Sequence, residues 1–213
     1  MDTEIPPGLE GNLSVFAEGG RETPWRSFEG RLFCTNAFII SDDKLLLGFK
    51  KRGFGAGLYN GFGGKVEPGE TVLAAACREL EEESGINADL EHAGTLLFVN
   101  EGTELAFHIE IYSARSYTGT PVETDEMRPA WFSLSPESLS GTQTIHRDIS
   151  ALPSSSTDSS LPLIPYDKMW PDDIYWLPQL VDGQKFAGRA DFRMESDGNL
   201  AMQRFWFGFV GST

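Results

Sequence analysis

A single stretch of this chain, Thr71 to Ser84, reads as a strong helix, and the apolar pattern around it has the period of strands. Leu73, Ala76, Cys77 and Leu80 recur at i, i+3, i+4 and i+7, Thr71 suits the N-cap and Gly85 the C-terminal stop. The stretch before it, Gly53 to Gly69, is dense in glycine and predicts a loop. Further upstream, Arg31 to Phe49 holds two apolar runs around Ser41-Asp42-Asp43, which predicts a hairpin. Downstream, GTLLFV and LAFHIEIYSA read as strands, the second with Leu105, Phe107, Ile109 and Ile111 on one side. TPVETDEMRPAWFSL reads as a turn and a short strand. DKMWPDDIYWLPQLVDG predicts a short helix, and two final strands flank the turn signal Ser196-Asp197-Gly198-Asn199. Strands outnumber helices, no internal repeat is present, and the composition is that of one globular domain.

Residues 1–29 are rich in Gly, Pro and Glu without an apolar period, so they are expected to be a disordered extension outside a domain of residues 30–213. Between about 136 and 165 the composition turns to Ser, Thr and Pro, which predicts a disordered insertion in that domain. The 32 acidic against 17 basic side chains give a formal charge of -15, the wrong sign for coating a nucleic acid polymer or an anionic membrane. Neither is expected as a partner, and a monomer is. Two cysteines, Cys34 and Cys77, are too few for a disulfide framework, and no secretory or transmembrane pattern is seen. A cytoplasmic location, with access to the nucleus, is the expectation.

On the predicted helix, Glu79, Glu82 and Glu83 stand at i, i+3 and i+4 and share one face. A run of glutamates is ordinarily a solvated helix face. Three carboxylates this close also repel, and a hard divalent cation that bridges to phosphate removes the repulsion. The glycine-rich loop ahead of them allows close backbone approach to a ligand. The spacing is specific: Gly64, five residues, Glu70, seven residues, then Arg78-Glu79-Leu80-x-Glu82-Glu83-x-Gly85-Ile86. That pattern resembles the Nudix box at every fixed position, the signature of hydrolases of a nucleoside diphosphate linked to another moiety.

Further text, LLLGFKKRGFGAGLYNGFGGKVEPGE, GTPVETDEMRPAWF and DKMWPDDIYW, is similar to the MutT-type branch of that family that hydrolyses oxidised purine nucleoside triphosphates. The likeness covers roughly Arg31 to Leu134 and Asp167 onward. It implies a Nudix α/β/α sandwich with a mixed sheet, and Mg²⁺, with Mn²⁺ as a substitute, held by Glu79, Glu82, Glu83, Glu126 and the Gly63 carbonyl. Arg78 would hold the carboxylates, a water would attack the β-phosphorus with Glu79 or Glu83 as base, and a nucleoside monophosphate and pyrophosphate would leave. Lys50 and Lys65 would guide the triphosphate and Phe62, Gly63 and Gly64 would also contact substrate, whereas Lys51 and Arg52 read equally as a soluble strand end. The base pocket would comprise Thr35, Phe54, Asn60, Phe98, Trp170, Pro171, Asp172, Asp173 and Trp176, with the paired acids reading the purine edge.

Two positions depart from the family pattern: Asn36 stands where an aliphatic residue is usual and Tyr59 where Trp is. The competing readings are another nucleotide substrate, such as a methylated purine triphosphate, ADP-ribose, a nucleotide sugar or a capped RNA end, and a non-catalytic nucleotide sensor. His92, His108 and His146 lack metal-ligand spacing and carry no assigned role.

Overall fold

The structure is a computed structural model that describes residues 4–141, 161–196 and 200–211. Its strands are β1 (Leu13–Gly19), β2 (Gly30–Ser41), β3 (Lys44–Lys50), β4 (Tyr59–Asn60), β5 (Ile86–Asn87), β6 (Glu91–Asn100), β7 (Leu105–Ala114), β8 (Thr118–Gly119), β9 (Met127–Ser133), β10 (Phe186–Met194) and β11 (Leu200–Val210). The helices are α1 (Val72–Ser84), α2 (Pro136–Leu139) and α3 (Asp173–Val181), with a 3-10 turn at Tyr166–Lys168. The main sheet runs β1-β11-β10-β6-β7-β2-β3-β4, with β9 also paired to β3. It is mixed, since β2 runs parallel to β7 and β10 parallel to β6.

The continuous apolar runs of β2 and β3 follow from burial on both faces of the sheet. Phe38, Ile40, Leu45 and Leu47 pack with Trp176, Leu177 and Leu180 of α3, while Ala37, Ile39 and Leu46 pack with Ala76 and Leu80 of α1. The expected α/β sandwich is therefore present. The hairpin turns at Asp42, whose φ of 53° lies in the left-handed region. Each fully buried Leu, Ile or Phe contributes roughly 1.5–3 kcal/mol of transfer free energy.

Helix α1 starts where Thr71 accepts a hydrogen bond from the Ala74 N–H and stops at Gly85, whose φ is 75° and whose N–H donates to Glu81 O. Leu73, expected on the core face, is exposed, and Ala75 is buried instead. Two adjacent alanines let the helix backbone press close to the sheet, and that rotates the apolar stripe toward Ala75 and Ala76.

Residues 4–29, expected to belong to an extension outside the domain, are built into the fold. β1 pairs antiparallel with β11 from Leu13↔Val210 to Gly19↔Phe205. Leu9, with Ile5, Leu13, Val15, Trp25 and Phe28, covers Leu97, Val99, Ala106 and Trp206. Arg189, fully buried in β10, donates to the carbonyls of Pro7 and Arg26 and to both Asp191 oxygens, and stacks over Trp25. This arm covers sheet surface that α1 does not reach.

The borders of the 136–165 segment are also built in. Ser138, 2% exposed, accepts from the Ile164 N–H at 2.8 Å, and Ile164 is buried. Residues 142–160, on which the expectation of disorder chiefly rests, lie outside the described residues, as do His146 and the turn residues 197–199.

Candidate active site

Helix α1 turns its glutamate face toward the glycine-rich loop, and two glycines make that approach possible. A Cβ on Gly64 would stand 2.4 Å from Glu79 Oε1, and one on Gly63 would stand 2.0 Å from Thr35 O. The Gly63 N–H donates to Glu83 Oε2 at 2.8 Å. Lys50 Nζ lies 3.1 Å from both Glu83 Oε1 and Glu126 Oε1. Arg78 bonds Glu70 and Glu79 at 2.8 Å, Glu82 at 3.2 Å and the carbonyl of Lys65 at 3.3 Å. Glu83 is nearly buried, and that burial raises its pKa despite the opposing Lys50 ammonium and Gly63 N–H. Its neighbour Glu82 is the most exposed of the three, its side chain 60% accessible.

Among the described residues no three acidic, His or Cys side chains converge in cation-binding geometry. Cationic side chains sit between the carboxylates instead: Lys50 between Glu83 and Glu126, Arg78 between Glu79 and Glu82. The layer carries five carboxylates, Glu70, Glu79, Glu82, Glu83 and Glu126, against Lys50, Arg52 and Arg78. Excess negative charge and an all-oxygen donor set fit a hard divalent cation.

Beside this layer opens a cavity of about 450 Å³. Leu96, Phe98, Phe107, Ile109, Ile111 and Phe192 line it from β6, β7 and β10, and Thr35 and Asn36 from β2. Trp170, Asp172, Asp173 and Trp176 line it at the start of α3, with Phe54 from the loop. Lys50, Gly63, Gly64, Lys65 and Glu126 lead from it to the carboxylates. Phe54 is 65% exposed and stacks on Trp170 at 5.2 Å and on Phe107 at 5.7 Å. A Cβ on Gly55 would come within 3.2 Å of the Trp170 ring.

Most of the expected pocket residues are thus brought together, and two are not. Phe62 is fully buried in the core cluster beneath α1, and only its backbone, bonded to Ala37, borders the site. Pro171 is exposed and sets the chain direction into α3 without lining the cavity. Trp176 is mainly core, stacked on Phe186, and its Nε1–H donates to Asp172 Oδ2 at 2.8 Å. Lys51 pairs with Glu123 at 2.8 Å, whereas Arg52 reaches toward Glu126. Sequence reasoning missed Leu96, Asn100, Phe192 and Leu200 as lining. The alternation Phe107, Ile109, Ile111 was the available signal for the floor, because a strand side is apolar whether it faces a helix or a ligand. Cys34 also lines the cavity, and burial raises its pKa to about 11, so it stays a thiol at neutral pH.

The acids of α3 have the most perturbed environment. Asp172 is fully buried and its pKa is pushed up to about 6 by burial, against the Trp176 hydrogen bond. Burial and the neighbouring Asp172 raise Asp173 well above the ordinary range, although the Trp170 N–H donates to its Oδ2 at 3.1 Å. Three buried polar atoms of lining residues lack a hydrogen-bond partner: Asp172 Oδ1, Thr35 Oγ1 and Asn36 Oδ1.

Comparison with known proteins places this geometry in context. Residues 33–151 match the model of the NUDIX domain. The oxidized purine nucleoside triphosphate hydrolase of Mus musculus is 39% identical over 160 residues, which cover 75% of this chain and 85% of that protein. Its counterpart in Danio rerio is 38% identical over the same shares. The crystal structure of a mutator MutT protein from Bacillus halodurans superposes with a TM-score of 0.53 at 23% identity, over 81% of this chain and 97% of that one, which shows the shared fold.

Proposed function

The chain belongs to the NUDIX family, and from that premise we propose that it hydrolyses oxidised purine nucleoside triphosphates, such as 8-oxo-dGTP and 2-oxo-dATP, to the monophosphate and pyrophosphate. Such an enzyme would keep damaged nucleotides out of DNA. The observation that carries the reading is the buried pair Asp172 and Asp173, opening on a cavity that runs into the carboxylate layer. At neutral pH such a pair holds one proton between two carboxyl groups, so it offers a donor and an acceptor together. Exchange of that proton between the two acids fits either oxidised guanine or oxidised adenine. Phe54 and Trp170 supply aromatic faces for the base plane.

NUDIX hydrolases generally use a divalent cation. Here Glu79, Glu82, Glu83, Glu126 and the Gly63 backbone would hold it, with Mg²⁺ expected and Mn²⁺ as substitute; it would offset triphosphate charge and activate water. Lys50 and Lys65 draw the triphosphate toward the acid layer by charge. Arg78 orients Glu79 and Glu82 through charge-assisted hydrogen bonds, and the Gly63 N–H orients Glu83. The proton of the attacking water passes to Glu79 or Glu83. A monomer in the cytoplasm and nucleus completes the proposal; it is supported by free Cys34 and Cys77, and no described helix is long and apolar enough to cross a membrane.

The test is pyrophosphate release with Mg²⁺ from 8-oxo-dGTP, 2-oxo-dATP, dGTP, a methylated purine triphosphate and ADP-ribose. Preference for an oxidised purine over dGTP is expected. Turnover of ADP-ribose alone would discard the purine reading and keep the hydrolase, and no turnover at all would leave a nucleotide sensor.

A further inference from the structure

Two asparagines meet at the cavity wall, and their hydrogen bonds fix which end of each amide faces where. The Gly61 N–H donates to Asn60 Oδ1 at 2.9 Å. A backbone N–H can only donate, so the main chain itself identifies that atom as the oxygen. Asn36 approaches the same oxygen at 2.7 Å, and this contact must therefore come from its Nδ2. Both lone pairs of the Asn60 oxygen are then filled. What Asn60 has left to offer the cavity is its NH₂ group, for which no hydrogen-bond acceptor is found among the described residues.

Asn36 itself is poorly served by this arrangement. It is 8% exposed, and its Oδ1 is buried without a partner against Gly61, where a Cβ would come within 2.3 Å. An unsatisfied buried amide oxygen destabilises the fold. An aliphatic side chain would avoid the penalty, so the contribution of Asn36 lies in its nitrogen.

We propose that Asn36 is a positioning residue that sets substrate choice by making Asn60 a fixed hydrogen-bond donor toward the base. The inference rests on the purine reading above and narrows it. The proton shared by Asp172 and Asp173 can move to suit the ligand, whereas the Asn60 amide is held by the main chain on one side and Asn36 on the other. A fixed donor selects a carbonyl acceptor over an amino group. Against an exocyclic 6-position, such a donor favours 6-oxo purines such as 8-oxo-dGTP over 6-amino purines such as 2-oxo-dATP.

The experiment compares kcat/KM for 8-oxo-dGTP and 2-oxo-dATP in the wild type, Asn36→Leu and Asn36→Asp. Asn36→Leu frees one lone pair of the Asn60 oxygen, and the preference for the 6-oxo substrate should fall about tenfold, the worth of one hydrogen bond. In Asn36→Asp a carboxylate would face that oxygen while the Gly61 N–H still holds it, so repulsion should loosen the Asn60 amide. The preference should then fall at least as far as in Asn36→Leu. Equal losses on both substrates in both variants would reduce Asn36 to scaffold and overturn the proposal. A second measurement needs no substrate: in the free wild-type enzyme, NMR should find the Asn36 side-chain amide protons protected from exchange and those of Asn60 unprotected. Fast exchange of both would overturn the lock. Hydrolysis of neither nucleotide by the wild type would overturn the purine reading and the substrate choice with it, while the exchange experiment would still judge the amide geometry.

Discussion

Replacing Asp172 by Asn should stabilise the protein near neutral pH while damaging recognition of the base. Asp172 is fully buried, and its pKa rises from the ordinary 3.8 to about 6. An acid whose folded pKa is raised stabilises the fold below its unfolded pKa, and that contribution is lost as pH rises through the folded value. Between pH 3.8 and about 6, therefore, the unfolded chain gives up this proton while folded Asp172 keeps it, and above about 6 the folded protein carries a buried charge. At 1.36 kcal/mol per pH unit, the gap corresponds to about 3 kcal/mol of penalty carried at neutral pH. Asn has the same shape, is neutral at every pH, and can still accept the Trp176 Nε1–H through its carbonyl oxygen. For a protein of this size each kcal/mol moves Tm by roughly 2–4 °C, so a gain on the order of 6–12 °C is expected at neutral pH and almost none below about pH 4. Calorimetry across that range, alongside kcat/KM for oxidised purine triphosphates, reads both effects. A Tm difference that does not change with pH would refute the reasoning, because it would show that Asp172 does not ionise within that window.

Other perturbations separate the remaining roles. Glu83→Gln should lower turnover at least about 100-fold in a Mg²⁺ assay while Tm stays close to the wild type, and an unfolded variant would defeat the catalytic assignment. Trp176→Phe keeps a ring in the core but deletes the donor to Asp172, so an NMR titration should find the Asp172 midpoint above its wild-type value of about 6. Burial pushes Glu110 up, but hydrogen bonds from His108, His92 and Thr95 outweigh it and hold its pKa well below the usual range. Its contribution to stability is therefore present above the ordinary 4.5 and lost as pH falls toward the depressed folded value; Glu110→Gln should lower Tm at neutral pH by an amount that shrinks in acid.

Local signals were legible where sequence and tertiary structure agree. Thr71, Gly85 and the apolar spacing between them defined α1, and the run through Ser41-Asp42-Asp43 defined its hairpin, because caps and turns act within a few residues. The strand at Leu13 to Gly19 was hidden, since Gly8, Gly11, Gly19 and Gly20 and nearby acids dominate the composition while Leu13 and Val15 find their partners only in β11 and the far core. In the site, the shared face of Glu79, Glu82 and Glu83 was readable from helical period. That Lys50 would lie between Glu83 and Glu126 was not, because it depends on β3 passing both α1 and the Glu126 loop. Leu96 and Asn100 of β6 and Phe192 of β10 were missed for the same reason: parallel pairing of β10 with β6 joins Phe192 to Asn100 across ninety-two positions of sequence.

The pairing of β1 with β11 also bears on how the molecule comes to be folded. Leu13 waits for Val210, and Arg189 binds the carbonyls of Pro7 and Arg26 only once β10 is in place. Until then the apolar residues of the arm and their counterparts Leu97 and Val99 are uncovered together. Contacts of such long sequence separation close slowly, because loop entropy is lost before they form. A ribosome releasing this chain therefore holds an open sheet edge until the last strand emerges, and the risk of aggregation is concentrated in that interval rather than in the finished fold.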